Sequence, residues 1–304
     1  MTDQAAMRAR LILNPSAGSE AALAHLPAMV GKLRERFADV EVAVTTGGGQ
    51  AGHAAQTALH DGCTHLFIAG GDGTVNEALG GVDRVKGGFD RVEIGIVPVG
   101  TGNDLATFLG LPTDPEACLA ALLDGAKRRL DLGRLGDRLF LNASAGGYVA
   151  ESSDRVDGAL KTVAGKLAYL LGGASALSAW EPVQAEIQVD DEAPFRLSIT
   201  LFGVCNGPTI GGGNPLAPDA AVDDGLLDLC IVKTASVPSF LATLGRMARR
   251  EHHVDEDVVL RKVRRVSLAF DRAIKVNLDG EVIETQHCAY RVDPGRVRLM
   301  VPRV

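Results

Sequence analysis

The sequence has little of what marks several large classes of protein. Its five cysteines are widely spaced and form no C-x-x-C pair, which disfavours a zinc or dithiol site and predicts reduced cytoplasmic thiols. The N-terminus lacks an apolar run before a small-residue cleavage site, so we expect no secretory signal. The longest weakly polar stretch, 167–180, is too short to span a bilayer, so any membrane contact is expected to be peripheral. With 31 Lys and Arg against 38 Asp and Glu, the net charge of −7 disfavours a nucleic-acid partner.

Common nucleotide-binding motifs are also absent. There is no G-x-x-x-x-G-K-[ST] loop, no H-R-D or D-F-G kinase sequence and no G-x-G-x-x-G fingerprint. These absences disfavour a P-loop enzyme, a protein kinase and a nicotinamide dinucleotide site. Any phosphate would therefore be held mainly by backbone amides and Mg²⁺.

Hydrophobic residues and glycine are plentiful. The 304 residues are 46% hydrophobic, enough for two domains with substantial cores. From residue 10 to about 136, short β-branched runs alternate with helical stretches, a pattern typical of βαβ units on a parallel sheet. The predicted strands are 10–13, 40–45, 65–69, 92–97 and 129–132. The first helix is predicted to start at an N-cap, Ser19, and to face the sheet with Leu23, Leu26, Val30, Leu33 and Phe37.

After residue 136 most segments read as strands, which predicts an antiparallel β-sandwich. The predicted strands are 139–143, 183–189, 195–205, 226–232, 263–270 and 274–278, with a final hairpin of 289–292 and 297–301 turned by Asp293-Pro294-Gly295. Helices are predicted over about 156–178 and 236–250, and the charged surroundings of His252 and His253 predict a solvated surface. The predicted domains are 1–136 and 137–304, and a return of the last strands to the first domain is left open.

Three glycine-containing loops follow predicted strands of the first domain. They are Asn14-Pro15-Ser16-Ala17-Gly18, Gly70-Gly71-Asp72-Gly73-Thr74 and Pro98-Val99-Gly100-Thr101-Gly102-Asn103-Asp104. Ligands of open α/β sheets bind beyond the carboxyl ends of the strands, where backbone N–H groups and helix N-termini favour phosphate. The second loop is the most informative, because three glycines around one aspartate cost backbone entropy that an ordinary turn does not require.

These loops resemble a known family. In their order and spacing, NPSAG, GGDGTVNEAL and PVGTGNDLA resemble the catalytic domain of the diacylglycerol kinase and sphingosine kinase superfamily. In the second half, GGGNPLAPDAAVDDGLLDLCIV and VNLDGE are similar to the second domain of the small bacterial soluble lipid kinases of the YegS/DgkB type. The resemblance runs almost end to end. It implies a Rossmann-like parallel α/β domain and an antiparallel β-sandwich domain with the active site in the cleft between them, and ATP and Mg²⁺ as cofactors.

The resemblance also implies a set of nucleotide contacts. They are Asn14, Pro15, Ser16, Ala17, Gly18, Thr46, Gly71, Asp72, Gly73, Thr74, Val75, Asn76, Glu77 and Thr101. Thr45 is an alternative to Thr46, because the loop 45–54 is longer than the family's T-x-x-x-G-x-A pattern.

Catalytic roles are implied for four acidic residues. Asp72 is expected to organise the catalytic Mg²⁺, since a carboxylate flanked by glycines meets a hard cation without steric hindrance. In Asp279-Gly280-Glu281 one carboxylate is expected to accept the proton of the lipid hydroxyl. Glu281 is the first candidate and Asp279 the second, and an ordinary turn is the structural alternative for this tripeptide. Asp131, at the end of a predicted strand, is a further candidate.

The segment 221–226 resembles the family's structural Mg²⁺ loop. The implied ligands are the carboxylate of Asp224 and the carbonyl oxygens of Ala221 and Leu226, donors that suit a hard divalent ion. Asp104 or Asp223 is a candidate to join through water and couple this ion to the nucleotide loop. The alternative is an ordinary acidic turn.

Together these features predict an ATP- and Mg²⁺-dependent lipid kinase. Its acceptor is expected to be a hydroxyl of a diacylglycerol-like lipid, giving phosphatidic acid, or of phosphatidylglycerol. Two alternatives stay open: a GGDGT-type kinase for a soluble acceptor such as NAD or a sugar phosphate, and a nucleotide-binding protein without catalytic activity. We expect a cytoplasmic protein that contacts a membrane surface transiently, with no nucleic-acid partner and with a homodimer left open.

Overall fold

The computed structural model describes residues 7–17, 21–147, 182–234 and 236–303. The chain divides into two compact units. The first comprises Met1–Leu132, Gly211–Gly213 and Pro294–Val304, and the second comprises Gly133–Ile210 and Asn214–Asp293. The helix predicted over 156–178 and the weakly polar stretch 167–180 lie outside the described residues.

The first unit is built on a parallel sheet. Its strands are β1 (Arg8–Leu13), β2 (Asp39–Val44), β3 (His65–Gly70) and β4 (Glu93–Pro98), in the order β2-β1-β3-β4. Every neighbouring pair is parallel. Residues 2 to 6 of β1, β3 and β4 are all buried, as expected of parallel strands covered on both faces, whereas β2 at the edge is largely exposed.

Seven α-helices accompany these strands in the described part of the first unit. They are α1 (Ala21–Ala24), α2 (Leu26–Arg34), α3 (Gln50–His60), α4 (Asp72–Asp83), α5 (Gly88–Arg91), α6 (Asp104–Phe108) and α7 (Pro115–Leu123). α3 and α4 approach closely at Gly52 and Gly81, where a methyl group on Gly81 would overlap the Gly52 carbonyl. The carboxyl ends of β1, β3 and β4 lead directly into the three predicted phosphate loops.

The predicted first helix is partly wrong. The structure has two helices, and Leu23 of α1 is 46% exposed instead of facing the sheet. Met29 and Leu33 of α2 are fully buried. Pro27, in the first turn of α2, favours a new helix start at that point. Leu33 and Phe37 of the predicted face are buried, and Met29, which was not predicted, is buried as well. The predicted N-cap Ser19 lies outside the described residues.

The second unit is mainly antiparallel. β5 (Ala126–Leu135) enters it from the first unit. The following strands are β6 (Arg138–Phe140), β7 (Ala143–Gly147), β8 (Val183–Val189), β9 (Phe195–Ile199), β10 (Leu201–Cys205), β11 (Thr209–Ile210), β12 (Asn214–Pro215), β13 (Leu227–Val232), β14 (Val258–Val263), β15 (Arg265–Leu278) and β16 (Glu281–Val301). From Pro294 onward β16 belongs to the first unit, where Leu299 pairs with Ile94 of β4 in parallel. The pairs β14-β13, β13-β10, β10-β7 and β7-β15 are all antiparallel.

Two hydrophobic clusters fill the second unit. One includes Phe140, Phe202 and Tyr290, and the other packs Phe240 and Met247 of helix α8 (Val237–Ala248) against the sheet. α8 begins at Ser236, whose hydroxyl caps the Ser239 N–H, close to the predicted start. The predicted class, an α/β domain followed by a β-sandwich-like domain, is confirmed.

Several predicted strand boundaries are wrong. The segment 195–205 is two strands, because the Thr200 N–H donates to Val232 and its hydroxyl donates to Thr234, which separates β9 from β10. Residue 263 ends β14, and the predicted segments from Arg265 to Leu278 form one strand, β15, with an irregularity between Ala269 and Ile274. β14 was not predicted, because its alternation is interrupted by charged residues.

The predicted final hairpin is also wrong, because β16 continues through Asp293-Pro294-Gly295. Gly295 has a φ of 54°, so the chain bends locally. Its N–H donates to the Asp131 carboxylate at 2.6 Å, and its carbonyl accepts from the Arg129 guanidinium at 3.1 Å. These contacts hold the proline and glycine within an extended strand.

Two expectations about titratable side chains have different outcomes. His253 is exposed as predicted, but His252 is fully buried and its Nε2 lies 3.1 Å from the Leu216 carbonyl oxygen. All five cysteines are free and buried, as predicted for reduced thiols. Burial raises the pKa of the Cys118 and Cys230 thiols to about 12, so they pack as neutral groups.

Candidate active site

The first loop joins the start of α4 through Asn14. The Asn14 N–H donates to the Ala69 carbonyl at 2.9 Å, and its Nδ2 donates to the Thr74 hydroxyl at 2.8 Å. Its Oδ1 accepts the Ser16 N–H at 3.0 Å, within the short 3₁₀ turn Pro15–Ala17. Asn14 therefore fixes the first two predicted phosphate loops to each other. Gly18 lies outside the described residues.

α4 begins at Asp72, directly after β3 and Gly71. Gly70 has no room for a side chain, because a Cβ there would meet the Thr74 side chain. Thr74 and Val75 are buried, so their side chains pack inward and offer a ligand chiefly their backbone. Gly73 is exposed with open space around its Cα. The loop thus presents a carboxylate and backbone N–H groups at the N-terminus of a 12-residue helix, where the helix dipole favours an anion.

Glu77 and Asn76 lie further along α4. The Glu77 carboxylate accepts the N–H groups of Ala51 at 2.8 Å and Gly52 at 3.2 Å, which caps the N-terminus of α3. The Oδ1 of Asn76 is buried and finds no hydrogen-bond partner among the residues that the structure describes. Through its hydrogen bonds to Ala51 and Gly52, Glu77 positions the start of α3 and the loop before it.

The loop before α3 contains Thr45 and Thr46, the two alternative nucleotide contacts predicted from the sequence. The Thr45 side chain is buried, and its hydroxyl donates to the Leu13 carbonyl at 3.4 Å. Thr46 is exposed, and its N–H donates to the Gln50 side chain at 2.8 Å. The exposed hydroxyl of Thr46 is the better placed of the two to meet a ligand.

The third loop packs directly on the second. A Cβ on Gly100 would overlap the Gly71 backbone, and Asn103, with a φ of 52°, donates from Nδ2 to the Gly100 carbonyl at 2.6 Å. The N–H of Asp104 donates to Asp72 Oδ2 at 3.1 Å. Thr101 is exposed on this loop. The structure therefore brings the predicted residues of all three loops together around the start of α4.

Asp131 sits elsewhere in the first unit, within β5. It is 1% exposed, and it accepts the Gly295 N–H. This contact makes Asp131 an anchor for the bend in β16.

The second unit contains the tripeptide Asp279-Gly280-Glu281, where the two carboxylates have different surroundings. The Asp279 carboxylate accepts the backbone N–H groups of Leu141, Asn142 and Ala143. The Glu281 side chain is 62% exposed and forms an ion pair with Arg138. Of the two, Glu281 is the more exposed.

Sequence reasoning missed the residues that support this tripeptide. The N–H of Asn206 donates to the Asn142 carbonyl at 2.8 Å, and its Nδ2 donates to the Leu141 carbonyl at 2.8 Å. These bonds hold the segment whose N–H groups bind Asp279. The available signal was the Asn206-Gly207-Pro208 turn after a buried strand.

In the predicted metal loop 221–226, the Asp224 carboxylate already forms an ion pair with a lysine of β14. Asp224 Oδ1 accepts the Leu226 N–H at 3.0 Å, and Oδ2 lies 2.6 Å from the Lys262 ammonium. Lys262 also lies 3.5 Å from Asp228. The described residues contain no cluster of three or more His, Cys, Asp or Glu side chains suited to a metal ion. A divalent ion on Asp224 would compete with this ammonium, whereas Asp72 offers a hard donor next to glycines.

Comparisons with known proteins agree with this architecture. A model of the diacylglycerol kinase catalytic domain matches residues 8–135, and a model of the YegS C-terminal NAD kinase beta sandwich-like domain matches residues 143–301. A diacylglycerol kinase of Bacillus subtilis is 35% identical over 90% of this chain and 89% of its own length. A probable YegS-like lipid kinase of Pseudomonas aeruginosa is 34% identical over 94% of this chain and 92% of its own length.

A solved structure also matches along the whole chain. The crystal structure of a putative diacylglycerol kinase from Bacillus anthracis superposes with a TM-score of 0.82 at 25% identity, covering 97% of this chain and 95% of the other. Fold and loops together define a kinase of the class that joins a diacylglycerol kinase catalytic domain to a β-sandwich. The chain belongs to the family of diacylglycerol kinases and YegS-like lipid kinases. Among its described helices, none is both long and apolar enough to cross a membrane.

Proposed function

We propose that the protein is an ATP-dependent lipid kinase that transfers the γ-phosphoryl group to a hydroxyl of a diacylglycerol-like lipid, giving phosphatidic acid, or of phosphatidylglycerol. The observation that carries the proposal is the junction of the three loops at Asp72, in a chain with a kinase catalytic domain. Names of relatives support a lipid acceptor over NAD or a sugar phosphate, and neither alternative function is favoured.

In this mechanism the first unit holds the nucleotide. Backbone N–H groups at the start of α4 bind phosphate oxygens, and the exposed hydroxyls of Thr46 and Thr101 provide further polar contacts. Asp72 would hold Mg²⁺, which supplies neutralisation of the phosphate charge. Because α4 is fixed by Asn14 and the third loop, these groups are positioned before the nucleotide binds.

The proposed base is Glu281. It accepts the proton of the lipid hydroxyl while the oxygen of that hydroxyl forms a bond to the γ-phosphorus of ATP. The bond between the γ-phosphorus and the bridging oxygen breaks, and ADP leaves. The Glu281 carboxylate forms an ion pair with the Arg138 guanidinium, whose side chain is also exposed. Asp279 holds the strand connection in place through three backbone N–H groups.

The acceptor places the reaction at a membrane surface, which a protein of this kind would reach by transient peripheral contact. The five free, buried cysteines support a reducing, cytoplasmic compartment.

The test is phosphoryl transfer from γ-labelled ATP in Mg²⁺ to mixed micelles of single lipid classes. We expect one lipid class to be labelled, and Asp72→Asn to lower the rate by about 10²–10³-fold, the scale for removing one electrostatic group from a site. Asp190→Asn is the matched control, because Asp190 also accepts backbone N–H groups but lies in the second unit. Label in a soluble acceptor and in no lipid would contradict the proposal.

A further inference from the structure

The glycine triplet Gly211–Gly213 belongs to the first unit, although β11 and β12 on either side of it belong to the second. Its three residues have φ values of 61°, 84° and 94°. Residues with a side chain rarely adopt a positive φ, which explains why three consecutive positions are glycine. Successive N–H groups in such a turn can converge on one anion.

The anion that they meet is Asp104. Its carboxylate accepts the Gly212 N–H at 2.9 Å and the Gly213 N–H at 2.6 Å. Asp104 is 6% exposed, so these charge-assisted bonds are shielded from water. The contact joins residues 108 positions apart in the sequence.

The same residue touches the predicted catalytic aspartate. The N–H of Asp104 donates to Asp72 Oδ2 at 3.1 Å. A Cβ on Gly102 would lie 3.1 Å from that oxygen and 3.8 Å from the Gly212 Cα. Asp72, Gly102, Asp104 and the triplet therefore lie within contact distance of one another.

We propose that Asp104 is a positioning residue that latches the glycine triplet 211–213 onto the third loop and thereby fixes the Asp72 carboxylate for the magnesium complex of ATP. The latch makes a segment from the second half of the chain part of the phosphate site of the first unit. The inference rests on the proposed function, because Asp72 is taken to act on MgATP.

The experiment compares Asp104→Asn with the control Asp190→Asn in the full chain. Asp190 accepts two consecutive N–H groups, those of Arg264 and Arg265, as Asp104 does from the triplet. Hydrogen exchange of a peptide covering 209–215 should become about tenfold faster or more in Asp104→Asn, the scale of losing a charge-assisted hydrogen bond. ATP affinity by calorimetry should fall about tenfold or more in Mg²⁺ and less than about twofold in EDTA. Asp190→Asn should change neither quantity.

A second variant loosens the latch from its other side. Gly213→Ala acts through the strained φ alone, because a Cβ there meets nothing within 4 Å, and it should reproduce both effects. Gly62→Ala is its matched control in the first unit, with a φ of 80° and equally open surroundings. Asp104→Asn and Gly213→Ala change the two ends of the same hydrogen bond, so Gly213→Ala still tests the proposal if Asp104→Asn folds poorly.

Three results would overturn the latch. They are unchanged exchange over 209–215 in both variants, faster exchange with unaltered MgATP affinity, and equal losses of ATP affinity in Mg²⁺ and EDTA. If the two variants show the expected exchange and MgATP changes but the wild-type protein phosphorylates no lipid, the proposed acceptor is rejected and the latch is supported.

Discussion

At the residue scale, Asp279 and Glu281 differ in what their carboxylates already bind. Asp279 accepts three backbone N–H groups, which occupy most of its acceptor capacity and fix its orientation. Glu281 is exposed and forms an ion pair with the flexible side chain of Arg138. A general base must reach a substrate proton, and the more exposed Glu281 is the better candidate of the two. Within this turn, backbone N–H groups hold the Asp279 carboxylate, and the Glu281 carboxylate is exposed to solvent.

The prediction is that the two amide substitutions fail in different ways. Glu281→Gln should lower kcat by about 10²–10⁴-fold, the usual contribution of a general base, with unfolding free energy nearly unchanged. Asp279→Asn should lower the unfolding free energy by about 1.5–3 kcal/mol, because its amide NH₂ would face backbone donors. Lipid phosphorylation rates and denaturant unfolding of both variants provide the check. A stable Asp279→Asn with the larger loss of kcat would reverse the assignment.

At the scale of elements, the loop 221–226 and strand β14 share one ion pair. Lys262 on β14 neutralises Asp224, and both side chains are partly exposed. Exposed ion pairs contribute about 0–1 kcal/mol, so the pair itself adds little stability. Its larger effect is competition, because the ammonium occupies the carboxylate oxygen that a divalent ion would use.

The prediction is that Lys262→Met makes the stability of the protein depend more strongly on Mg²⁺ than that of the wild type does. Without nucleotide, millimolar Mg²⁺ should raise the melting temperature of the variant by at least about 2 °C relative to EDTA, which corresponds to roughly 1 kcal/mol of binding free energy. The wild type should shift less. Lys127→Met is the matched control, because Lys127 pairs with Glu93 in the first unit. An equal Mg²⁺ shift in wild type and both variants would show that the ammonium does not exclude the ion.

The same scale shows what the sequence could and could not predict. The strands before the three loops, and the helix that starts at Asp72, follow from local patterns of apolar residues and glycine. The contact of Asp104 with Gly212 does not, because hydrophobic periodicity carries no information about pairing across 108 residues. Similarly, Pro294-Gly295 is a local turn signal that the distant side chain of Asp131 overrides. Residue spacing also could not distinguish Asp279 from Glu281, since their difference lies in contacts with residues 138–143.

At the scale of the whole molecule, each unit contains a histidine that burial keeps neutral. Burial lowers the pKa of His252 in the second unit, where its Nε2–H donates to the Leu216 carbonyl and its buried Nδ1 has no partner among the described residues. The hydrogen bond to the Leu216 carbonyl opposes this lowering of the pKa most, followed by Asp219 and Asp255, while the neighbouring His253 adds to it. In the first unit, burial lowers the pKa of His65 despite the opposing charge of Glu93.

These shifts predict that both units lose stability in mild acid. An unfolded histidine titrates near pH 6.5, whereas the folded ones bind a proton only at lower pH. Between those two pKa values the unfolded chain holds more protons, so the unfolding free energy rises with pH and falls as pH is lowered through about 6.5. Each histidine contributes a slope of at most about 1.4 kcal/mol per pH unit within that window, and nothing further below its folded pKa.

The measurement is urea unfolding between pH 5.5 and 7.5, a range above the titration of ordinary carboxylates. His252→Gln should flatten the pH dependence of the second unit and His65→Gln that of the first, while His253→Gln, at the exposed neighbour, should leave a slope close to that of wild type. If the units unfold in separate transitions, each substitution should flatten only the transition of its own unit, since the two histidines lie in different compact units. A double variant, His65→Gln with His252→Gln, that kept the full wild-type slope would show that other groups set the acid sensitivity.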